Sequence, residues 1–407
     1  MNLLHVITSI DPVHGGPGQV IRSMVPALEK LNIQSEVVCL DSPSAPFVLN
    51  EPFKINALGP AVGLWRYSSK LMPWLYKNLN RFDGVILHGL WLYSGYATSK
   101  VFQHLKNTLS HEQRLLLPRL FVMPHGMLDP YFQRAADRKF KSIRNWIYWR
   151  LIERNVVNRA DGIFFTCEAE LLLAREPFNP YHPQKEMNVG FGIEQPPAYT
   201  PKMREEFLKA CPEIDGHPYL LFLSRIHQKK GVDLLVNGYL KIAGPGAPKL
   251  VIAGPGLDGA FGQEIKKIVT QNPQLKDVVL FPGMLSGDAK WGAFYGCEAF
   301  VLPSHQENFG IAVAEALACG KPVLISNQVN IWKEIKNGGG GLISDDTTEG
   351  TKSMLLQWSK LSQEMKAEMA SRANQIFKES FSIGPAALKF STAVNKPQAP
   401  DPRDDKS

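Results

Sequence analysis

Residues 299–326 read AFVLPSHQENFGIAVAEALACGKPVLIS, and this stretch predicts the unit from which the fold is built. The run AFVLPS (299–304) is short and apolar and ends at a proline and a serine, which is typical of a buried strand. An alanine-rich helix is predicted to begin near Phe309, and PVLIS (322–326) is the next predicted strand. A strand, a helix and a second strand in this order form a parallel βαβ unit.

The same alternation extends along most of the chain. Segments of helical periodicity, such as 20–31 and 143–158, lie between short apolar runs rich in β-branched and aromatic residues. The predicted strands are 3–9, 35–40, 84–89, 119–126, 162–166, 219–225, 249–256, 278–283, 299–304 and 322–326. Such alternation predicts an α/β protein whose parallel sheets are covered by helices on both faces.

The length of the chain indicates two domains, since 407 residues suit two domains of about 200 residues each. The proline-rich segment 190–207 predicts a linker without regular structure, with the boundary near 196–201. We therefore predict an N-terminal domain over 1–195 and a C-terminal domain over 196–393, followed by a disordered tail over 394–407.

Charge and cysteine content restrict the class of protein. The net charge of +7 favours anionic partners such as phosphates, nucleic acid or an acidic membrane surface. The five cysteines are scattered and form no C-x-x-C pair, which argues against a disulfide framework or a zinc site and favours a reducing cytoplasm. The N-terminus lacks the features of a signal peptide, and no apolar run reaches the roughly 18 residues of a membrane-spanning helix.

Basic and glycine residues follow the predicted strands of the second half. Arg225 and Lys230 lie in LFLSRIHQKKGVD (221–233), where a planar guanidinium and a compact ammonium both suit a phosphate. Gly254, in VIAGPGLDG, allows the backbone to approach a ligand closely. The alternatives are a solvated basic turn and an ordinary tight turn. A similar strand exit, FPGMLS (281–286), offers its backbone to a flat nucleobase.

Two glutamates flank the start of the predicted helix in the opening stretch. Glu307 lies in the turn before the helix, and Glu315 lies eight residues later, inside it. The free N–H groups of a first helical turn favour an anion, and a carboxylate can bind a pair of adjacent hydroxyls, as on a sugar or ribose ring. The alternative is that Glu307 complements the helix dipole while Glu315 is a solvated side chain.

Together these spaced elements resemble the retaining glycosyltransferases of the GT-B fold, most closely those of family 4. The glutamate pair with ENFG, the S-R-x-x-x-x-K-G element, VIAGPG, LFPGML and ALACGKPVL follow in the order typical of that family across residues 219–345. In the N-terminal half, HGGPG (14–18) and PHGMLDP (124–130) resemble the family more loosely. The resemblance implies two Rossmann-like parallel-sheet domains that face each other across a cleft.

The resemblance also implies a reaction. It indicates a retaining, metal-independent hexosyltransferase that needs no cofactor and uses a nucleotide-diphosphate sugar as co-substrate. Arg225 and Lys230 would bind the diphosphate and stabilise the charge that develops on the leaving phosphate, Glu315 would bind the ribose, and Glu307 would hold the transferred sugar, with His125 near it. The other donor-side residues implied are Gly15, Gly16, Gly254, Gly283, Met284, Leu285, Asn308, Phe309 and Gly310.

Two histidines at strand exits have alternative interpretations. The neutral ring of His125, in PHG, suits a hydrogen bond to a sugar hydroxyl, although a lone histidine after a strand is often a structural residue. His88, in ILHGLW, is a candidate on the acceptor side. The acceptor implied by the resemblance is a glycan or a lipid-linked oligosaccharide, in the synthesis of a bacterial surface or extracellular polysaccharide.

The segment 138–159 is the candidate acceptor-side surface. It holds seven basic residues and one acidic residue, interleaved with Trp146, Tyr148 and Trp149. It is predicted either as a basic helix on the inner face of the plasma membrane or as a cleft-lining helix whose arginines pair with carboxylates. Arg144 is its candidate contact with an anionic acceptor.

Several other functions fit parts of the pattern. A nucleotide-sugar epimerase with a GT-B-like fold would need no acceptor, and a non-catalytic nucleotide-sugar or membrane-binding protein would bind the donor without turnover. The absence of a recognition motif argues against nucleic acid as a partner. The paired carboxylates would suit a glycosidase, but the cations suited to a diphosphate argue against one.

Overall fold

The structure, a computed structural model, describes residues 1–134, 139–244 and 246–395. Its strands are β1 (Asn2–Ile7), β2 (Gln34–Cys39), β3 (Lys54–Ala57), β4 (Gly84–His88), β5 (Arg119–Met123), β6 (Gly162–Phe165), β7 (Glu186–Asn188), β8 (Tyr219–Leu223), β9 (Lys249–Ala253), β10 (Val279–Gly283), β11 (Ala299–Leu302), β12 (Val323–Ser326) and β13 (Gly341–Ser344).

The helices follow most of these strands, as the sequence predicts. They are α1 (Gly16–Glu29), α2 (Pro46–Leu49), α3 (Leu71–Asn78), α4 (Tyr93–Thr108), α5 (His111–Leu115), α6 (Tyr131–Arg134), α7 (Lys139–Tyr148), α8 (Arg154–Asn158), α9 (Glu168–Leu173), α10 (Pro201–Ala210), α11 (Val232–Leu240), α12 (Ala260–Gln271), α13 (Gly287–Gly296), α14 (Ile311–Ala318), α15 (Trp332–Gly338), α16 (Thr348–Lys360), α17 (Gln363–Ile376) and α18 (Ile383–Asn395). A π-helical turn, Trp149–Glu153, joins α7 to α8.

The chain divides into two compact units. The first is Met1–Gly192 together with the segment that begins at Ile383, and the second is Ile193–Ser382. This division differs from the predicted one at α18, which the sequence analysis assigned to the second domain. Phe390 of α18 is buried and stacks beside His5 of β1 in the first unit. The difference arises because the apolar pattern of a helix does not specify which core its apolar face joins.

The predicted linker is irregular only in its first part. Residues 191–200 form no helix, but α10 begins at Pro201, so the prediction of irregular structure was wrong for residues 201–207. A proline is favourable at the first helical position, since its missing N–H would have no partner there and its φ already suits a helix. Of the predicted tail, residues 394 and 395 end α18, and residues 396–407 lie outside the described part of the chain.

The first unit contains one parallel sheet in the order β3-β2-β1-β4-β5-β6-β7. Its central strands are continuous buried runs, as expected for a parallel sheet covered on both faces. The edge strands β3 and β7 were not predicted. They are only partly buried, and their sequences KINA and EMN therefore lack the apolar run by which the other strands were recognised.

The second unit contains a parallel sheet in the order β10-β9-β8-β11-β12-β13. The chain builds this sheet outward from β8 on one side and then returns to build outward from β11 on the other. Ligands of such doubly wound sheets bind beyond the carboxyl ends of the strands where the order reverses, which here lies between β8 and β11. The prediction of two Rossmann-like parallel-sheet units is confirmed.

Helices α10 and α13 pack so closely that a glycine is required between them. A Cβ atom added to Gly292 of α13 would lie 2.0 Å from the carbonyl oxygen of Met203 and 3.0 Å from Cβ of Phe207, both on α10. The glycine therefore determines how near the two helices approach.

We expect Gly292→Ala to lower the free energy of unfolding by about 1–3 kcal/mol, because the added methyl group forces α10 away from α13. The matched control is Gly384→Ala in α18, where no atom lies within 4 Å of the added Cβ. Alanine should be neutral there or stabilise by up to about 1 kcal/mol, since it forms helix better than glycine. Differential scanning calorimetry measures both, and equal effects of the two substitutions would contradict the packing argument.

Candidate functional site

Two of the predicted site residues form an ion pair where the strand order of the second unit reverses. Lys230 lies in the loop after β8 and Glu307 in the loop after β11, and the Lys230 ammonium is hydrogen-bonded to a carboxylate oxygen of Glu307. The Lys230 side chain is 9% exposed and that of Glu307 is 20% exposed. Arg225, at the carboxyl end of β8, is exposed instead. None of the ion pairs found among the described residues involves Arg225.

Glu307 carries a negative charge at neutral pH. Burial by itself raises the pKa of this carboxyl, but the charge of Lys230, the hydrogen bond from Lys230 and the charge of Lys229 outweigh that effect and leave the pKa below its ordinary value. A compact ion pair of this kind is held in place by two neighbouring strands.

Glu315 forms a second lysine–carboxylate pair. Nζ of Lys290, on α13, lies 2.6 Å from Oε1 of Glu315, on α14. The Glu315 side chain is only 14% exposed, so the alternative of a solvated helix glutamate was wrong. Burial raises the pKa of Glu315, although the charge of Lys290 acts in the opposite direction. Sequence reasoning missed Lys290, and the one available signal was a basic residue in the first turn of the helix that follows β10.

The turn before α14 is shaped by a glycine. The helix begins at Ile311, two residues later than predicted, because Gly310 adopts a left-handed φ of 81° immediately before it. A Cβ atom at Gly310 would lie 3.1 Å from Val313 and 3.3 Å from the Glu307 side chain. The first-turn N–H groups of α14 therefore begin directly beside Glu307, where the helix dipole favours negative charge.

Four further contacts hold the Glu307 turn. The backbone N–H of Glu307 donates to the carbonyl of Gln328, and its carbonyl accepts from the N–H of Asn330, at 3.0 and 2.9 Å. Phe309 is buried and packs edge-on against Phe381, with ring centroids 5.6 Å apart. Asn308, between them, lies with its Oδ1 3.5 Å from Nδ2 of Asn330. The turn is thus anchored on both sides.

The exits of β9 and β10 lie against each other. The N–H of Gly254 donates to the carbonyl of Gly283 over 2.8 Å. Gly254 has a φ of 140°, and a Cβ atom there would lie 1.9 Å from the carbonyl oxygen of Ser224, so only glycine fits. No atom lies within 4 Å of a Cβ built at Gly283. Beyond it, Met284 is exposed and Leu285 is buried, so only Met284 of this pair presents its side chain to solvent.

The structure thus places eleven predicted residues at or just beyond the carboxyl edge of the second sheet. They are Arg225, Lys230, Gly254, Gly283, Met284, Leu285, Glu307, Asn308, Phe309, Gly310 and Glu315. The other five belong to the first unit, where Gly15, Gly16, His88 and His125 follow or end central strands and Arg144 lies on α7.

Three histidines form a hydrogen-bonded chain in the first unit. Nδ1 of His5 lies 2.9 Å from Nε2 of His88, and Nδ1 of His88 lies 2.9 Å from Nε2 of His125. Burial lowers the pKa of His5 to about 4 and that of His125 to about 3. Burial, followed by the charges of His125 and His5, holds the pKa of His88 well below its ordinary value. Sequence reasoning missed His5, whose signal was a polar residue inside the apolar strand LLHVI.

The backbone at His125 is held in an unusual conformation. His125 has a φ of 54°, and Gly126 follows with a φ of 77°. The N–H of Gly126 donates to Oε1 of the buried Glu170 over 2.5 Å, while Oε2 of Glu170 accepts from the N–H and the hydroxyl of Thr166 at 2.7 and 2.6 Å. Glu170, which sequence reasoning also missed, therefore ties the loop after β5 to the loop after β6.

Gly15 and Gly16 leave open space at the start of α1. No atom lies within 4 Å of a Cβ built at either residue, and Gly15 has a φ of 77°. Because β1 lies beside β4, these glycines lie at the same edge of the sheet as His88. The backbone there is exposed, and the donor-binding role of the two glycines stays a prediction.

Helix α7 and the π-helical turn present an apolar and basic face to solvent. We name the exposed large apolar and arginine side chains of this region the α7 surface: Phe140, Ile143, Arg144, Trp146, Ile147, Arg150 and Leu151. Trp149 is buried, so it is not part of this surface. None of the ion pairs among the described residues involves Arg144, Arg150 or Arg154, so the alternative of arginines paired with carboxylates was wrong for them.

A loop beside α7 adds to this apolar exposure. Val62 and Tyr67 pair as an antiparallel bridge, and Leu64 at the tip between them is fully exposed. Nε1 of Trp65 donates to the hydroxyl of Tyr148 on α7, which fixes the loop against the helix. No helix in the described part of the chain has the length and apolarity needed to cross a membrane.

Comparison with known proteins identifies the family. A model described as "Glycosyl transferase 4-like domain" matches residues 15–185, and one described as "Glycosyl transferases group 1" matches residues 203–375. The chain belongs to the group 1 glycosyltransferases. The second match contains all eleven residues at the edge of the second sheet, and the first contains His88 and His125.

Solved structures show that this glycosyltransferase has the GT-B fold. The crystal structure of Anabaena Alr3699/HepE in complex with UDP and glucose matches with a TM-score of 0.74 and 15% identity, over 97% of this chain and 99% of that one. A Klebsiella pneumoniae protein, described as an uncharacterized 41.2 kDa protein in the cps region, is 25% identical over 84% of this chain and 86% of its own.

Other relatives match a smaller part. The alpha-monoglucosyldiacylglycerol synthase of Streptococcus pneumoniae is 28% identical over 43% of this chain and 39% of its own length. The chain spans between 35% and 45% of the length of several of the relatives it matches.

The histidine chain makes a prediction about pH and stability. An unfolded His5 binds a proton below its ordinary pKa of 6.5, whereas the folded one, with a pKa of about 4, stays neutral. Stability should therefore fall on acidification, and His5 alone accounts for about 2 kcal/mol of the loss between roughly pH 7 and pH 5.

We expect His5→Asn to reduce this acid dependence, measured as the free energy of unfolding by urea at a series of pH values. Val37→Ala serves as the control, because Val37 is the register partner of His5 on β2 and does not titrate. A His5→Asn protein whose stability falls as steeply with acid as that of Val37→Ala would show that His5 is not buried in neutral form.

Proposed function

We propose that the chain is a retaining glycosyltransferase that moves a sugar from a nucleoside diphosphate to a glycan or lipid-linked acceptor, in the synthesis of a surface or extracellular polysaccharide. The observation that supports this most directly is the buried Lys230–Glu307 pair, with the exposed Arg225 following the same strand as Lys230. A structural relative whose crystals contain UDP and glucose, and a relative encoded in a cps region, agree with this choice of donor and pathway type.

The arrangement stabilises charge on a leaving phosphate. When the bond to the anomeric carbon breaks, negative charge develops on an oxygen of the β-phosphate. Lys230, Arg225 and the first-turn N–H groups of α14 supply positive charge and hydrogen bonds that are already oriented. The developing charge therefore needs little reorganisation of the protein.

Glu307 is bound to Lys230 before a ligand arrives. A phosphate at Lys230 would replace the carboxylate as the partner of the ammonium, which frees Glu307 to accept hydrogen bonds from hydroxyls of the transferred sugar. Glu315, whose carboxyl accepts a hydrogen bond from Lys290, would bind the two ribose hydroxyls. Lys230 and Lys290 thus each hold one of the two carboxylates in position.

The reaction as proposed requires no metal ion. The charges that a divalent cation would neutralise are met by Arg225 and Lys230. Within the described residues, no three His, Cys, Asp or Glu side chains are grouped as ligands of a metal ion. Sugar transfer should therefore continue in the presence of a chelator such as EDTA, and loss of activity that added Mg²⁺ or Mn²⁺ restores would contradict this part of the proposal.

The cation pair makes the main prediction of this function. Arg225→Ala and Lys230→Ala are each expected to lower kcat roughly 100-fold or more, because each removes a group that stabilises developing charge. Lys241→Ala, an exposed lysine just after α11, is the control and should leave kcat unchanged. Transfer is measured as nucleotide released in the presence of an acceptor extract.

Thermal stability against a panel of nucleoside diphosphates and their sugars identifies the donor in parallel. A ligand at about 100 times its Kd stabilises the fold by about 2.7 kcal/mol, and Arg225→Ala should abolish this stabilisation. Near-normal turnover in both cation variants contradicts the proposed mechanism. Nucleotide release that does not depend on an acceptor favours an epimerase, and binding without any turnover favours a non-catalytic protein.

We further propose that the acceptor is reached at an anionic membrane surface, on which the α7 surface lies. Its exposed side chains combine large apolar residues with arginines, and Leu64 provides a second apolar tip beside it. Apolar side chains that enter the headgroup region, next to cations that attract anionic lipid, are typical of proteins that bind one face of a membrane. The relative that is named as a synthase of a glycosylated diacylglycerol agrees with a lipid-linked acceptor.

Sedimentation with lipid vesicles tests this surface. The chain should sediment with phosphatidylglycerol vesicles at low salt and less with phosphatidylcholine vesicles, since the arginines require anionic lipid. The double variant Phe140→Ser and Leu151→Ser should lose most of this binding. The control, Leu115→Ser with Leu116→Ser, removes two equally exposed apolar side chains from another surface and should still bind. Failure of the unaltered chain to sediment would rule out the membrane surface.

A further inference from the structure

Three histidines of the first unit are connected head to tail, with His5 and His88 buried and His125 partly exposed. Each of the two hydrogen bonds joins Nδ1 of one ring to Nε2 of the next, in the order His5, His88, His125. Bonded rings are stacked with their centroids 5.2 Å apart in both pairs. The resemblance to family 4 implies that His125 lies near the transferred sugar. His88, the candidate on the acceptor side, is buried with both ring nitrogens bonded to histidines, so its ring is not available to an acceptor. The two histidines behind His125 therefore need an explanation of their own.

The geometry allows the three hydrogen-bonded histidines only two arrangements of protons. A neutral imidazole has one N–H group and one nitrogen lone pair, and a hydrogen bond between two rings needs one of each. Because both bonds run from Nδ1 to Nε2, the proton position in one ring determines the position in the next. Either all three rings carry their proton on Nδ1, or all three carry it on Nε2.

The buried end of the chain distinguishes the two arrangements. Nε2 of His5 is buried and has no hydrogen-bond partner among the described residues, and the His5 ring packs beside Phe390. With protons on Nε2, an N–H donor would be left without a partner in these apolar surroundings. Buried N–H groups without a partner are rare in proteins, whereas a buried acceptor with an unused lone pair is somewhat less so. Protons on Nδ1 leave only a lone pair at this end.

We therefore infer that His5 and His88 are positioning residues that hold the proton of His125 on Nδ1, so that His125 offers an N–H donor to an oxygen atom of its ligand. The inference rests on the proposed function, with a sugar of the donor or the acceptor as this ligand. A His125 with its proton on Nδ1 and its Nε2 bonded to His88 has no free lone pair. It therefore orients and binds the sugar but does not act as the base that deprotonates the acceptor.

The hydrogen bonds among the three histidines also imply that the site prefers one kind of ligand group at His125. A group that can only donate a hydrogen bond to Nδ1 of His125 would force all three rings to exchange their proton positions. That exchange would leave the N–H of His5 buried without a partner. The site therefore favours an oxygen acceptor at this position, such as a sugar hydroxyl that accepts from His125 and donates elsewhere.

Nitrogen NMR of the ligand-free full chain, labelled with ¹⁵N-histidine, tests the proton positions directly near neutral pH. The expected spectrum shows Nδ1 of each of the three rings as the protonated nitrogen and Nε2 as the unprotonated one. The signals are assigned by their loss in His5→Asn, His88→Gln and His125→Asn. A proton on Nε2 of His125, or a rapidly exchanging mixture of both forms, would overturn the inference whether or not the chain transfers sugar.

Kinetics of two matched variants test the positioning role. His5→Phe keeps an aromatic ring beside Phe390 but gives His88 no donor, and we expect kcat to fall about fivefold to tenfold while the KM for the donor changes less than about twofold. His5→Asn places an amide N–H near the position of Nδ1 and should restore most of the rate. Val37→Ala removes packing next to His5 but leaves the three histidines and their hydrogen bonds in place, so it should leave kcat unchanged.

The outcomes separate this inference from the proposed function. Equal rates in His5→Phe and His5→Asn, whether normal or reduced, would show that the hydrogen bond from His5 does not matter and would overturn the positioning role. If the unaltered chain transfers no sugar from any donor, the proposed function fails, and the NMR measurement still decides which nitrogen of His125 carries the proton.

Discussion

The parallel pairing of β8 with β11 is the constraint on which the second unit depends. Parallel strands bring their carboxyl ends to one edge, and the reversal of strand order leaves the loops after β8 and β11 side by side. Lys230 and Glu307 come from these two loops, and their side chains are only 9% and 20% exposed. An uncompensated charge at this depth would cost several kcal/mol, so removal of either residue would leave the other without its charged partner.

The Lys230–Glu307 pair is therefore a structural requirement of the second unit as well as part of its candidate site. The ion pair with Glu307 compensates the charge of Lys230 within the protein itself. Lys290 and Glu315 repeat the arrangement one helix away, with the carboxyl 14% exposed. In the first unit, the polar side chains that bond to one another at the candidate site are neutral histidines. Its histidines bond to one another, and Nε2 of His5, which is buried without a partner among the described residues, restricts how the protons are arranged.

Much of the fold can be predicted from local sequence patterns, and the elements that were missed or misassigned have a common cause. The buried central strands were predicted, since a strand covered on both faces must be apolar throughout. The edge strands β3, β7 and β13 were not, because half-buried strands lack that pattern. Helix α18 was assigned to the wrong unit, since apolar periodicity says that a face is buried and not what it is buried against.

The candidate site shows the same division. The sequence alone determined the types and spacing of Arg225, Lys230, Glu307 and Glu315, because each was recognised by its position after a predicted strand or inside the helix that follows one. Only the tertiary structure could supply Lys290, His5 and Glu170. Each of them acts through a partner from a distant part of the chain, 25, 83 and 44 residues away respectively, and no local signal encodes such a contact. The chemical role of a single residue can be predicted from its type and its position in the sequence. Which side chains contact each other depends on which strands become neighbours in the fold.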